Sequence, residues 1–146
     1  MMTSSKKLLT NCIYLENESI KIQGIQFYGS PYTPAIPGKT MAFNYHDRQT
    51  AHTIWQKIPQ DVDILMTHGP PHQFLDRIIV GKHVGCPKLR QRVMQVQPKF
   101  HFFGHIHEGF GIQTYKDVTF VNCATVTLLY QPKHEAVVLD YVTNKR

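Results

Sequence analysis

Cysteine is scarce in this 146-residue chain: Cys12, Cys86 and Cys123 are odd in number, far apart, and form no C-x-x-C pair. That argues for reduced, structural thiols rather than a disulfide framework or a zinc ribbon. Long apolar runs are missing as well. No stretch approaches the roughly 20 residues needed to span a bilayer, and Met1 to Thr10 has no apolar core of the kind a secretory leader carries. A cytoplasmic location with no membrane partner is therefore the expectation. No internal repeat or low-complexity segment occurs.

Acidic residues are few, ten against sixteen lysines and arginines, which leaves a net charge of +6. The excess is local: Arg77, Lys82, Lys88, Arg90, Arg92 and Lys99 follow one another with no acid between Arg77 and Lys99. On a helix Lys88, Arg92 and Lys99 fall opposite Leu89, Val93 and Val96, the pattern of a solvated outer face. No aromatic interleaving or nucleic-acid motif accompanies them, so specific nucleic-acid binding is not expected. A positive field favours anionic phosphate compounds in general. With 42% hydrophobic residues, a chain of this length can bury the core of one domain.

Histidine is where the chain concentrates chemistry. Phe100-His101-Phe102-Phe103 suits a buried strand, and it breaks into Gly104-His105-Ile106-His107, where Gly104 allows backbone angles that other residues resist. In extended backbone the i, i+2 spacing of His105 and His107 puts both imidazoles on one side, so that two neighbouring metal ions could each take one. Asp61 to Met66 is a second short apolar run, and it breaks into Thr67-His68-Gly69-Pro70-Pro71. Ligands of open α/β sheets gather outside the carboxyl ends of the strands, so His68, His105 and His107 are expected to converge. Three imidazoles without a cysteine pair suit zinc, manganese or iron rather than calcium.

Thr67-His68-Gly69-Pro70-Pro71 and Gly104-His105-Ile106-His107 resemble the two C-terminal motifs of the calcineurin-like metallophosphoesterases. Leu9-Thr10-Asn11-Cys12-Ile13-Tyr14-Leu15, Tyr28-Gly29-Ser30-Pro31, Ala42-Phe43-Asn44, Val84-Gly85-Cys86 and Phe103 to Gly109 look like the metallophosphoesterase domain-containing subfamily. The resemblance runs from about Leu8 to Tyr141. It implies the C-terminal part of an αββα sandwich, a mixed β-sheet with flanking helices, in which His68 and His105 bind one metal of a two-metal site and His107 the other. Gly69, Gly104 and Glu108 would touch substrate. The family's Asp-x-His pair, bridging Asp and Asn-His pair do not occur: the first aspartate is Asp47, and none of Asn11, Asn17 and Asn44 precedes a histidine. No catalytic residue is therefore assigned. The implied function is metal-dependent hydrolysis of a phosphate ester, cyclic and other nucleotides included, with negligible turnover expected from these residues alone. The competing reading is a non-catalytic module of the same fold that binds metal or nucleotide or serves in interaction.

Taken in order, Met1 to Lys7 reads as a disordered basic tail, residues 8–142 as the partial domain, and residues 143–146 as a second tail. Ile13 to Leu15 and Ile20 to Ile22 read as a hairpin about Glu16 to Ser19, with Ile25 to Tyr28 a third strand. Gly29 to Lys39, with Pro31, Pro34 and Pro37, marks a long loop in which Tyr32 fastens the chain. Asp47 can cap a helix burying Ala51, Ile54, Trp55 and Ile58. His46 and His52 read as surface residues, and His72 and His83 fall in an irregular stretch. Pro87 and Pro98 bracket a helix from about Lys88 to Gln97, which makes a strand-helix-strand crossover between the two histidine loops. Gly111 to Tyr115, the Lys116-Asp117 turn and Val118 to Asn122 form a hairpin, and Ala136 to Leu139 a last strand.

Overall fold

The computed structural model describes residues 8–142, so the expected tails at 1–7 and 143–146 lie outside the described residues. The fold is α/β. Six strands, β1 (Glu18–Ile22), β2 (Ile25–Ser30), β5 (Ile64–Thr67), β6 (Phe100–Phe103), β7 (Gly111–Tyr115) and β8 (Val118–Asn122), form one mixed sheet in the order β1-β2-β5-β6-β8-β7. The inner four run parallel, and β1 and β7 close the edges antiparallel. A two-residue parallel pair, β3 (Thr33–Pro34) with β4 (Asn44–Tyr45), ties down the proline-rich loop.

Helix α1 (Arg48–Trp55) starts where Asp47 accepts the Thr50 N–H, as its sequence leads one to expect, and α2 (Pro87–Val96) starts at Pro87. The cap of α2 is the Cys86 thiol, which accepts the Leu89 N–H and also the indole N–H of Trp55. Both helices bury their apolar stripes on one face of the sheet. Register sets Tyr28, Leu65, His101 and Phe120 side by side on that face, and each is at most 2% exposed. The opposite face, with Phe27, Ile64, Phe100 and Phe102, carries no second sheet among the described residues; Tyr141 packs edge-on against Phe100 there. One sheet-and-helix half of a sandwich is what the described residues form.

Three expectations change. The first hairpin joins β1 to β2 through Gln23 and Gly24, at φ 51° and 86°, rather than through Glu16 to Ser19. Two successive left-handed residues are the tight turn whose twist matches paired strands, and Ile13 to Leu15 is left outside the ladder. Ala136 to Leu139 forms no strand: Val138 is 84% exposed between half-buried Val137 and Leu139, an alternating pattern with no neighbouring backbone to pair with. The basic run is not merely a solvated face either. Arg92 donates to the Ile58 carbonyl, Arg90 to Gln73 Oε1, and Lys99 to the Val142 carbonyl, so these cations staple the helix and the segment about Val142 to the body. No helix among the described residues is long and apolar enough to cross a membrane.

Candidate functional site

The four parallel strands end together, and their carboxyl ends deliver Pro31, His68, Gly104 and Cys123 to one edge of the sheet. His68 follows β5 and His105 follows β6, the two central strands. Their loops are bolted together by the backbone, because Gly104 N–H donates to the His68 carbonyl at 3.0 Å. Above that bond the imidazoles meet: His68 Nε2 and His105 Nδ1 are 3.0 Å apart, with ring centroids at 4.7 Å.

The approach is made possible by His105 itself, which adopts a left-handed φ of 69°. The extended-chain argument for His105 and His107 therefore fails, and so does the special role given to Gly104, whose φ is not positive. A left-handed residue reverses the chain, Ile106 N–H closes onto the Gly104 carbonyl, and His107 opens a short 3-10 turn, His107–Gly109. Non-glycine residues resist this conformation, and the surrounding hydrogen bonds hold it. His107 turns its Nδ1 to the Thr127 carbonyl at 3.1 Å and stands edge-on to Tyr130.

Surrounding protein lowers the pKa of His68 and of His105, and for His105 the neighbouring His68 and His107 rings push further in the same direction. Both imidazoles are thus neutral near pH 7 and have a lone pair to offer. Two nitrogens each about 2.1 Å from one cation stand roughly 3 to 3.4 Å apart, so the His68–His105 pair fits one divalent transition metal. For His107, a Nδ1–H held by a backbone carbonyl is the arrangement that leaves Nε2 as the coordinating atom. Among the described residues no group of three or more His, Cys, Asp or Glu side chains is disposed to hold a metal ion, so the structure gathers a pair and not a three-ligand shell.

The candidate substrate contacts divide. Gly69 lies in the wall beside His105, with its carbonyl taking the Thr67 hydroxyl; Gly104 joins the two loops; Glu108 accepts the Ile79 N–H and so fastens the 76–85 loop to the histidine turn. His72 and His83 meet at Asp76, which is fully buried: His83 Nδ1 lies 2.5 Å from Oδ1, and Oδ2 accepts the Gln73 and Gly85 N–H groups. Asp63 sits at the opposite end of β5, bonded to the Gln26 N–H and the Tyr141 hydroxyl. Tyr32 packs edge-on against Phe43 and fastens its loop. Sequence reasoning missed His101 and Asn122. Both read as strand residues, yet they are fully buried and support the loops, His101 through Thr67 and Asn122 through the Leu75 and Ile106 carbonyls. A polar residue inside an apolar strand was the signal.

Comparison with known proteins agrees with this architecture. The chain is 43% identical over 140 residues to human metallophosphoesterase domain-containing protein 1, matching 94% of this chain and 42% of that protein. It is 41% identical over 138 residues to a UPF0046 protein of Caenorhabditis elegans, matching 94% of this chain and 34% of the relative. The chain thus spans less than half the length of these curated relatives. No family model matches it. A solved crystal structure shares the fold at a TM-score of 0.56 and 19% identity, over 75% of this chain and 45% of that one.

Proposed function

Since this chain belongs with the metallophosphoesterase domain-containing proteins over the part of them that it spans, we propose that its histidine edge serves metal-dependent hydrolysis of phosphate esters. The observation that carries the reading is the 3.0 Å approach of His68 Nε2 and His105 Nδ1 at the carboxyl edge of the parallel strands. His68 and His105 would hold one divalent zinc, manganese or iron ion, and His107, with Nδ1 committed to the Thr127 carbonyl, would have Nε2 left for a second. When bound, such a cation would supply Lewis-acid activation of the phosphate ester and of water. The chain's own residues supply position. Thr67 and Gly104 hold the two loops in register, and Glu108 keeps the 76–85 loop against the edge. Phosphodiesters, nucleotides among them, are the proposed substrates. Carboxylates to bridge two cations are not among the residues gathered here, so the pair alone is expected to bind metal weakly and to turn over slowly.

Zinc titration by calorimetry tests this. A single weak site is expected in the chain as it stands, and it is expected to disappear in the His68→Ala/His105→Ala double variant. Equal uptake by the double variant would overturn the assignment. Metal binding with no hydrolysis of bis-p-nitrophenyl phosphate, even when the chain is extended with the N-terminal part of its human relative, would favour a binding module over an enzyme.

A further inference from the structure

Beside His105 the edge opens into a cavity of about 320 Å³ between the proline-rich loop and the 76–85 loop. Its lining is apolar, with flat ring surfaces from Pro34, Pro37 and Pro70 and branched ones from Ile78, Val84 and Ile106. His105 is the one titratable side chain among the described residues that line it, so nothing there solvates a second charge. The Thr33 hydroxyl is buried behind this wall, in a residue 2% exposed, and stands 3.0 Å from where a Cβ on Gly69 would be, so it offers the cavity no polar atom.

We infer that this cavity receives the organic group of the phosphate ester and that this group is a flat aromatic ring. The inference rests on the phosphoesterase reading and deepens it. Because His105 lines the cavity, a phosphate ester bound at the histidine edge can place its organic group in this apolar slot. A charged group would lose its hydration there without recompense. An aromatic ring loses little and can lie flat against the proline rings. The volume of about 320 Å³ has room for a bicyclic ring. Ile78 and Val84 are then residues that determine specificity rather than carry the reaction.

The test compares three probes, 1-naphthyl phosphate, methyl phosphate and 1-naphthol, titrated with zinc present into the isotope-labelled chain and followed by amide chemical shifts. Naphthyl phosphate is expected to bind about tenfold more tightly than methyl phosphate, the discounted value of burying one ring, and to shift Ile36, Ile78 and Ile106. Val84→Trp and Ala35→Phe fill the slot from opposite walls, and each is expected to bring the two esters within about twofold. If one variant fails to fold, as judged by its spectrum, the other still decides. Equal affinity of the wild-type chain for both esters, or naphthyl shifts confined to residues outside the slot, overturns the inference. Naphthol binding in the slot as tightly as its phosphate would support the aromatic pocket but overturn the phosphoesterase reading, because the histidine edge would then contribute nothing to a phosphate.

Discussion

His101 donates its Nε2–H to the Thr67 hydroxyl at 2.9 Å, and Thr67 passes its own proton to the Gly69 carbonyl at 2.8 Å. A hydroxyl has one proton to give, so the imidazole must be the donor. That fixes the tautomer and leaves His101 Nδ1 buried without a partner. The relay sets the turn that presents His68. Burial also pushes the His101 pKa down to about 3.

The His101 shift makes stability depend on pH. An unfolded histidine titrates near 6.5 and the folded one near 3, so the unfolded chain binds the extra proton between those values. This contribution is fully present above pH 6.5 and is lost as pH falls toward 3, at up to about 1.4 kcal/mol per pH unit. His101→Phe exchanges one hydrogen bond for relief of an unpaired nitrogen. It is expected to change stability at pH 7 by less than about 1.5 kcal/mol while flattening the acid limb between pH 6 and 4. Urea midpoints at pH 7, 6, 5 and 4 check this; an unchanged acid limb would show that other groups dominate.

Metal uptake should follow the two surface imidazoles. Their lowered pKa values mean that protons compete for the lone pairs only below about 6.5. Zinc affinity is expected to be level from pH 8 to 6.5 and to fall below it. A decline already between pH 8 and 7 would indicate a ligand of higher pKa, such as a cysteine thiol.

Asp76 holds the loop that walls the cavity, accepting from His83 on one oxygen and from two backbone amides on the other. An asparagine has one acceptor oxygen and must point an N–H group at a donor. Asp76→Asn is therefore expected to cost at least about 2 kcal/mol in chemical unfolding, with loss of the amide shifts that report the loop.

The Cys86 thiol serves two buried donors, Trp55 Nε1 at 3.3 Å and the Leu89 amide at 3.4 Å. Cys86→Ala leaves both unpaired, at an expected cost of about 1–3 kcal/mol, whereas Cys86→Ser keeps an acceptor and is expected to lose less than half as much. Equal losses in thermal unfolding would mean that Cys86 matters for its volume alone.

Gly109 ends the histidine turn against Leu75, whose carbonyl oxygen would stand 1.9 Å from a Cβ. Backbone must move to admit even a methyl group. Gly109→Ala is expected to cost at least about 2 kcal/mol and to disturb His107 before His68; a fully stable alanine variant would mean that the turn is softer than its contacts imply.

Local signals in the sequence were sufficient for the elements they govern. Asp47 and Pro87 start helices because one side-chain oxygen or one fixed φ acts within a single turn, and β7 and β8 fall where an alternating run is broken by Lys116 and Asp117. The motifs about His68 and His105 could be read because each follows an apolar strand, and parallel strands bring their carboxyl ends to one edge whatever the loops between them do. What the tertiary structure alone decided was direction. His105 turns left-handed because the Gly104–His68 backbone bond and the closure of Ile106 onto Gly104 outweigh its local preference, and that brings it to His68 while turning His107 toward Thr127. Ala136 to Leu139 has the composition of a strand but no partner, since pairing depends on a neighbouring backbone that no local pattern encodes.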